Sequence, residues 1–305
     1  MSQKMLAMFP GQGSQFVGMG KTLCEKYQIA RDTFAEASEA CGVDMQKLCF
    51  EGPEDQLKLT ANTQPAILTH SVAVWRVVQS VKPVTPAMFA GHSLGEYSAL
   101  VAAGKLDFRR AVFLVRKRGQ AMQKAVPEGV GAMAAVMNCE AAVLEKHCKD
   151  ASTSDAQVTP VNYNSPQQIV VAGHKAAVDK LTEILTAAGV RSVPLAVSAP
   201  FHSSLMKPAR EDMTALLKES TFVANNTSLI PNLNATPSAS YGAENLIAQI
   251  DNPVLWTQTI EAAVKSGCDS FVEFGPGRVL CGLVKRIAGR AAKIIAVEDP
   301  EQLVL

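Results

Sequence analysis

Three short, mainly apolar runs in this chain each end in a turn that contains glycine, and helix-forming sequence follows them. They are residues 5–9, 87–90 and 270–274, which lead into Pro-Gly-Gln-Gly, Gly91 and Gly-Pro-Gly respectively. Apolar runs that alternate with segments of helical period are typical of an α/β fold built on a mainly parallel sheet. Ligands bind such folds at the carboxyl ends of the strands, so these glycine turns are the first candidates for a functional site.

One segment has a different order of elements. Its pattern predicts strand, helix, strand, strand, helix and strand over residues 131–137, 139–149, 158–162, 168–172, 175–188 and 191–197. This βαββαβ order is typical of a small ferredoxin-like unit. We therefore predict an inserted domain over residues 131–197, a discontinuous large α/β domain over residues 1–130 and 198–305, and a cleft between them. Residues 224–243, rich in Asn, Ser, Thr and Pro, are predicted to form a surface loop with one short strand.

Composition and charge exclude several classes of protein. The 305 residues are 48 % hydrophobic and 19 % charged, as in a globular protein with a sizeable core. The 29 basic and 28 acidic side chains leave a net charge of +1, which favours neither nucleic-acid binding nor membrane attachment. The seven cysteines include no Cys-x-x-Cys pair, which disfavours a zinc site or a disulfide framework. Free thiols and a first segment unlike a signal peptide predict a cytoplasmic protein.

The sequence Gly91-His92-Ser93-Leu94-Gly95 matches the Gly-x-Ser-x-Gly pattern of serine nucleophiles. A predicted strand precedes it and a predicted helix follows, and the glycines permit a tight turn that lifts the hydroxyl above the sheet. The start of the helix offers free N–H groups and a positive dipole end to an oxyanion. We interpret Ser93 as a nucleophile, and the alternative is a serine that caps the helix.

A nucleophilic serine needs a base, and His202 is the best placed of the five histidines. It follows the last strand of the predicted insertion, at the mouth of the cleft; an ordinary loop histidine is the alternative. No acidic residue between Ser93 and His202 is a convincing third member of a triad, and the candidates are Asp107, Asp150, Asp155 and Asp179. We therefore predict a Ser–His dyad in which a backbone carbonyl orients the imidazole.

The helix predicted after Asp107 carries Arg118 in the middle of its apolar stripe. The residues within about 60° of Arg118 on a helical wheel are all apolar: Ala111, Leu114, Val115, Ala121 and Met122. A buried guanidinium needs an anion. Either an Asp or Glu of the chain forms a structural ion pair with it, or Arg118 grips a carboxylate of the substrate.

The turn after the first strand, residues 10–15, is Pro-Gly-Gln-Gly-Ser-Gln. It is not a dinucleotide-binding loop, because Phe16 occupies the position of the third glycine. Free backbone N–H groups at this strand end could instead complete an oxyanion hole.

Several motifs together resemble one enzyme family. In chain order they are FPGQGSQ at 9–15, NTQPA at 62–66, GHSLGEYSAL at 91–100, the Arg118 helix, NSPQQ at 164–168, APFHSSLM at 199–206, DNPVLW at 251–256 and EFGPGRVL at 273–280. This set resembles the malonyl-CoA:acyl carrier protein transacylases of type II fatty acid synthesis. Acyltransferase domains of polyketide synthases share the same motifs. The resemblance implies an α/β-hydrolase-like body with a ferredoxin-like insertion.

The resemblance also implies a role for each residue that matches the family's motifs. Ser93 would be the acylated nucleophile and His202 its base. The backbone N–H groups of Gln12 and Leu94 would form the oxyanion hole. Arg118 would pair with the free carboxylate of the malonyl group.

Four further residues have supporting roles by the same resemblance. The backbone carbonyl of Gln249 would orient the catalytic histidine. Gln64 and His92 would lie beside the catalytic groups. Phe201, which precedes the histidine, resembles the malonyl-selective pattern of the family.

The implied reaction is a ping-pong transfer of malonyl from malonyl-CoA to the phosphopantetheine thiol of acyl carrier protein, through malonyl-Ser93. It needs no metal ion or prosthetic group, and a monomer is the expected state. The basic residues near the C-terminal helix could contact an acidic carrier, although a solvated basic face is the simpler interpretation: Arg278, Lys285, Arg286 and Arg290.

Three other functions remain open from the sequence. A polyketide-synthesis acyltransferase would carry the same motifs. A serine esterase or thioesterase would need an acidic third member and would have no use for a buried Arg118. A non-catalytic binding module would need neither Ser93 at a tight turn nor His202.

Overall fold

The computed structural model describes residues 4–197, 199–289 and 291–304. The strands are β1 (Met5–Phe9), β2 (Met88–Gly91), β3 (Gly131–Met137), β4 (Val158–Ser165), β5 (Gln168–His174), β6 (Ser192–Pro194), β7 (Ser270–Phe274) and β8 (Lys293–Val297). The α-helices are α1 (Lys21–Lys26), α2 (Gln28–Cys41), α3 (Met45–Glu51), α4 (Glu54–Lys58), α5 (Thr60–Val81), α6 (Gly95–Ala102), α7 (Phe108–Lys124), α8 (Ala141–Ala151), α9 (Lys175–Ala187), α10 (Lys207–Lys218), α11 (Ala243–Gln249), α12 (Trp256–Lys265) and α13 (Val279–Ile287). Short 3₁₀ helices cover Ser204–Met206 and Pro300–Gln302. No helix within the described ranges is long and apolar enough to cross a bilayer.

Four strands form a parallel sheet in the order β2-β1-β7-β8. Every residue of β1 is buried, and its alternate side chains enter two different cores. Met5, Ala7 and Phe9 belong to one core, and Leu6 and Met8 to the other. A strand covered on both faces has no polar side, which explains its continuous apolar sequence. The predicted α/β architecture with a parallel sheet is confirmed, and β1 and β7 have the predicted bounds.

A second sheet of four strands is antiparallel, in the order β4-β5-β3-β6. Along the chain its elements follow the order β3, α8, β4, β5, α9, β6. One face packs against α8 and α9 through its own apolar core. The opposite face has a smaller cluster that includes Met133 and Val170, with Phe201 packed against it. That second face is turned toward the catalytic candidates.

The edge strand β4 joins the antiparallel sheet to the segment that precedes α12. The N–H of Val254 donates to the carbonyl of Val161 at 2.8 Å, and the N–H of Tyr163 donates to the carbonyl of Val254 at 3.0 Å. The Thr257 hydroxyl donates to the carbonyl of Tyr163 at 2.9 Å. The antiparallel sheet is therefore held against the start of α12 by hydrogen bonds of β4.

Some element bounds differ from the sequence prediction. The strand predicted over residues 191–197 is only Ser192–Pro194, although the N–H of Leu195 still donates to the carbonyl of Met133 at 2.9 Å. The surface loop predicted over residues 224–243 is wrong in part. Leu229 forms a bridge with Phe89 beside β2, residues 229–232 are buried, and α11 begins at Ala243. The polar composition of this segment gave no indication that residues 229–232 are buried.

Candidate active site

Ser93 lies in a tight turn between β2 and α6. Its φ of 52° is in the left-handed region, which residues other than glycine seldom adopt. Both flanking glycines are required by close approach: a Cβ on Gly91 would lie 2.0 Å from the carbonyl carbon of Gly95, and a Cβ on Gly95 would lie 2.2 Å from the carbonyl oxygen of Phe9. The turn therefore holds the serine against the carboxyl end of β1.

The imidazole of His202 contacts the hydroxyl of Ser93, with 2.8 Å between Nε2 and Oγ. On the other side of the ring, Nδ1 lies 2.9 Å from the backbone carbonyl oxygen of Gln249. A carbonyl oxygen can only accept, so Nδ1 carries the ring proton and Nε2 is the acceptor for the hydroxyl of Ser93. This tautomer is the one that a general base requires.

His202 is only 3 % exposed, and burial together with the charge of Arg118 lowers its pKa to about 3. The imidazole is therefore neutral over the physiological range and has a free lone pair. In chemical terms, Nε2 of His202 can take the hydroxyl proton of Ser93 as the serine oxygen attacks an acyl carbon.

None of the four aspartates considered in the sequence analysis is a partner of His202. Asp107 caps the first turn of α7. Asp150 and Asp179 each form a surface ion pair with a lysine one helical turn away. Asp155 is exposed in the loop before β4.

Arg118 is buried, with 1 % exposure, beside the serine. Its guanidinium donates to three neutral oxygens: Oε1 of Gln64 at 2.8 Å, Oε1 of Gln249 at 2.9 Å and Oγ of Ser93 at 3.1 Å. Its Nε–H has no partner in the described part of the chain. The cation thus touches the hydroxyl oxygen of Ser93 and retains capacity to bind an anion.

Asn232 was not singled out by the sequence, because it lies in the segment predicted as a surface loop. Its side-chain Oδ1 accepts from the N–H of Ser93 at 2.7 Å, and its Nδ2 donates to the carbonyl of Gly91 at 2.6 Å. Asn232 is fully buried. Both bonds brace the strained turn.

Glu96 lies within the GHSLGEYSAL motif, but no role was predicted for it, since an acidic residue in the first turn of a helix is usually explained by the helix dipole. It is 1 % exposed here. Its carboxylate accepts from the N–H of Asn232 at 2.9 Å, from the hydroxyl of Tyr241 at 2.7 Å and from the side-chain amide of Gln249. Burial raises the pKa of Glu96 to about 7, although these hydrogen bonds and Arg118 oppose the shift.

Two backbone amides near Ser93 are free. Within the described residues, neither Gln12 nor Leu94 uses its N–H in a hydrogen bond. Gly11 brings the first loop close to the turn, because a Cβ there would lie 2.5 Å from the carbonyl oxygen of His92. Two unpaired N–H groups at a helix start and a neighbouring strand end are suited to bind an oxyanion.

A cavity of about 180 Å³ lies between the two sheets at Ser93. The side chain of His92 crosses this cleft, with 2.9 Å between its Nε2 and Oδ1 of Asn164. Every site residue predicted from the sequence except Gln249 lines this cavity. The full lining is Gln12, Gln64, His92, Ser93, Leu94, Arg118, Met122, Met133, Asn162, Asn164, Val170, Leu195, Val197, Phe201 and His202. No group of three or more His, Cys, Asp or Glu side chains among the described residues is arranged to hold a metal ion.

The basic residues predicted as a carrier-facing group lie on and beside α13. Arg278, Lys285 and Arg286 are exposed. Arg290 lies outside the described residues. The three exposed cations are accessible to an acidic partner.

Comparison with known proteins gives consistent matches over most of the chain. Residues 8–295 match the model of the acyl transferase domain family. The chain is 48 % identical to the malonyl CoA-acyl carrier protein transacylase of Escherichia coli strain K12, over 92 % of this chain and 91 % of the relative. Its structure is similar to that of an acyl carrier protein S-malonyltransferase from Vibrio cholerae, with a TM-score of 0.94, 45 % identity and 98 % coverage of both chains. A malonyl-transacylase in complex with its type II PKS acyl-carrier protein gives a TM-score of 0.93 and 43 % identity, over 97 % of this chain and 96 % of that one.

Proposed function

This chain belongs to the acyl transferase family, and on that premise we propose that it transfers malonyl from malonyl-CoA to the phosphopantetheine thiol of an acyl carrier protein in fatty acid biosynthesis. The names of its relatives support the acyl donor and the acceptor. One cluster in this chain carries the proposal. The hydroxyl of Ser93 contacts both Nε2 of His202 and Nη2 of Arg118, so the nucleophile, its base and a carboxylate-binding cation meet at one oxygen.

The first half-reaction loads the enzyme. Nε2 of His202 takes the hydroxyl proton as Oγ of Ser93 attacks the thioester carbon of malonyl-CoA. The N–H groups of Gln12 and Leu94 donate to the oxyanion that develops on the thioester oxygen. The carbon–sulfur bond then breaks, and the imidazolium returns its proton to the departing sulfur, which leaves as CoA-SH. The product is a malonyl ester on Ser93.

The second half-reaction reverses these roles. The thiol of the carrier protein enters the same cleft and loses its proton to His202. Its sulfur attacks the ester carbon, the same two amides hold the oxyanion, and Ser93 leaves with the proton from the imidazolium. The malonyl group is then a thioester of the carrier, and both residues are restored. No step calls for a metal ion or a prosthetic group of this chain.

Acyl choice rests on Arg118 and on the apolar face opposite it. The free donors of the guanidinium would bind the malonyl carboxylate as a charge-assisted pair in a dry site. Phe201 packs against the apolar cluster of the antiparallel sheet and lines the cavity, which leaves little room for a branch on the acyl group. Gln64 and His92 hold the cavity's shape through their bonds to Arg118 and Asn164.

Other functions fit the same residues less well. An esterase or thioesterase needs water in the second half-reaction, whereas the methionine, valine, leucine and phenylalanine side chains of the cavity favour a thiol over water. A binding module has no use for a serine hydrogen-bonded to a neutral histidine. Polyketide synthesis remains the alternative pathway, since one similar malonyl-transacylase serves a type II PKS carrier.

We further propose the finer architecture that the resemblance implies. The body would be α/β-hydrolase-like over residues 1–130 and 198–305, with a ferredoxin-like domain over residues 131–197. The sheet order and the separate core of the antiparallel unit support this division. The protein would act as a monomer in the cytoplasm, where its seven free cysteines would stay reduced.

Acyl-enzyme trapping tests the proposed function. The protein is incubated with malonyl-CoA and quenched in acid, and the added mass is located by peptide mass spectrometry. One malonyl group on Ser93 is expected. Ser93→Ala should take up none while retaining the melting temperature within a few degrees, since the hydroxyl carries the chemistry and little of the packing. A malonyl group on another residue of the alanine variant would contradict the assignment.

A further inference from the structure

Gln249 forms hydrogen bonds with His202, with Arg118 and with the backbone of Ser93. Its backbone carbonyl accepts from Nδ1 of His202 at 2.9 Å. Its side-chain Oε1 accepts from Nη2 of Arg118 at 2.9 Å, and its Nε2 donates to the carbonyl of Ser93 at 2.9 Å. The base, the cation and the nucleophile are therefore all held by one glutamine.

The amide of Gln249 has two orientations that differ by a half-turn, and only one suits this site. In the observed orientation the oxygen faces the donors of Arg118, and the NH₂ group faces the carboxylate of Glu96. The reverse orientation would set NH₂ against guanidinium N–H and oxygen against carboxylate. Ionised Glu96 can only accept, so it favours the observed orientation together with the donors of Arg118 and the carbonyl of Ser93.

Resting on the proposed function, we propose that Glu96 is a positioning residue of the transfer reaction: its carboxylate fixes the amide of Gln249 and, through it, Arg118 and the base around the Ser93 hydroxyl. Two further bonds fix Glu96 itself, from the hydroxyl of Tyr241 and from the N–H of Asn232. Asn232 in turn accepts from the N–H of Ser93. The carboxylate thus reaches the nucleophile by two routes, neither of which touches the acyl group.

Charge balance gives this arrangement a pH dependence. The charged and titratable groups that face Glu96 are Arg118 from α7, Tyr97 from its own helix and Tyr241 from the segment before α11. Burial raises the pKa of Glu96 to about 7, whereas that of His202 is lowered to about 3. As the pH falls below 7, Glu96 gains a proton and can present a donor to Gln249. An acid limb near neutrality therefore belongs to Glu96 and not to the base.

Glu96→Gln tests the proposal with a side chain of the same shape. Its oxygen can still accept from Tyr241 and from the N–H of Asn232, but its NH₂ group faces that of Gln249, so the hydrogen bond to Gln249 is lost. We expect kcat/KM for malonyl transfer to fall about 10- to 100-fold, the loss typical of one hydrogen bond to a charged group. The preference for malonyl over acetyl loading should fall as well, because Arg118 loses a partner. Loading is followed by mass spectrometry between pH 5.5 and 9.

The pH profile separates positioning from simple stability. Wild-type protein should lose kcat/KM as the pH falls through about 7, and Glu96→Gln should be slow but flat over the same range. Tyr241→Phe removes a hydrogen bond that lowers the pKa of Glu96, so its acid limb should move to higher pH. This second variant leaves the glutamine contact intact and keeps the test decisive if Glu96→Gln fails to fold.

Glu273→Gln is the matched control. Glu273 is also fully buried, and its carboxylate accepts from the N–H groups of Leu280 and Cys281 at the start of α13, outside the active site. It should lose stability without a change in the acid limb or in acyl preference.

The proposal is overturned by any of three results: a wild-type profile with no acid limb, an acid limb unmoved in both Glu96→Gln and Tyr241→Phe, or an unchanged malonyl-to-acetyl ratio in a folded Glu96→Gln protein. The wild-type sample also tests the proposed function separately. If the proposed function is wrong, the wild-type protein should form no malonyl-Ser93 at any pH.

Discussion

Ser93 and His202 face each other with their backbones both in the left-handed region, at φ 52° and 62°. Each such conformation costs about 1–3 kcal/mol in a residue with a side chain and persists only where the surroundings impose it. Asn232 and Gln249 supply that constraint, through the N–H of Ser93 and through Nδ1 of His202. Of the four residues other than glycine that have positive φ in the described part of the chain, two are therefore the residues proposed to exchange a proton; the other two are Asn138 and Ala235.

Removal of the base should be costly, and removal of the four candidate acids should not. His202→Ala is expected to slow malonyl transfer about 100-fold or more, the range for loss of a general base. The four aspartates, each changed to Asn, should retain most of the activity, since a backbone carbonyl already orients the imidazole. Steady-state transfer to the carrier protein measures both. A severe loss of activity in one Asn variant that still folds would contradict the dyad and favour a Ser–His–Asp triad. The four positions to be changed are Asp107, Asp150, Asp155 and Asp179.

The charge of Arg118 should decide which acyl group is accepted. Arg118→Ala removes the cation that would bind the malonyl carboxylate, so malonyl loading should fall by orders of magnitude. The acetyl group has no free carboxylate for Arg118 to bind, so acetyl loading should fall less. Arg118→Lys should restore activity only in part, because an ammonium group cannot reproduce the planar donors to Gln64 and Gln249.

The ratio of malonyl to acetyl loading is measured in one reaction in which malonyl-CoA and acetyl-CoA compete, from the mass added to Ser93. An equal loss for both donors, or an unfolded Arg118→Ala variant, would make Arg118 a structural cation.

At the level of elements, the junction of β2 and α6 depends on backbone contact that only glycine allows. Gly95→Ala would bring a Cβ to 2.2 Å from the carbonyl oxygen of Phe9, an atom held in the parallel sheet. We expect a loss of about 1–3 kcal/mol or more in the free energy of unfolding, together with a misplaced serine. Urea unfolding measures the stability.

The matched control for that variant is Gly282→Ala, at an exposed position in α13 where an added Cβ meets nothing within 4 Å. It should raise stability by about 0.5–1 kcal/mol, since alanine suits a helix interior better than glycine does. Equal effects at the two positions would show that close approach is not what selects Gly95.

The elements that could be predicted from sequence are those with a local signal. A fully apolar run before a glycine turn predicted β1, a mainly apolar run before a glycine turn predicted β7, and a helical wheel was sufficient to predict that Arg118 is buried. Glu96 and Asn232 have no such signal. Their burial follows from contacts with residues more than 100 positions away in the chain, which no local pattern encodes.

Over the whole molecule, the site exists because two sheets meet. The parallel sheet supplies the serine turn and its amides, and the antiparallel sheet supplies the apolar wall with Met133 and Val170. Bonds from β4 to Val254 and from Asn164 to His92 fix the wall against the turn. The order of elements in the antiparallel unit could be predicted from the sequence, but the face that it turns toward Ser93 could not.

The size of the cleft also constrains the kinetic order. The cavity at Ser93 is about 180 Å³ and contains one nucleophile, yet donor and acceptor both deliver a phosphopantetheine sulfur to it. Two such arms cannot reach the same serine together, so CoA must leave before the carrier thiol enters. We expect parallel lines in double-reciprocal plots with malonyl-CoA and carrier protein varied, the pattern of a covalent intermediate. Without any carrier, labelled CoA-SH should exchange into malonyl-CoA, and Ser93→Ala should abolish that exchange. Intersecting lines with no exchange would mean that both substrates bind at once, and the malonyl-serine ester would then lie off the pathway.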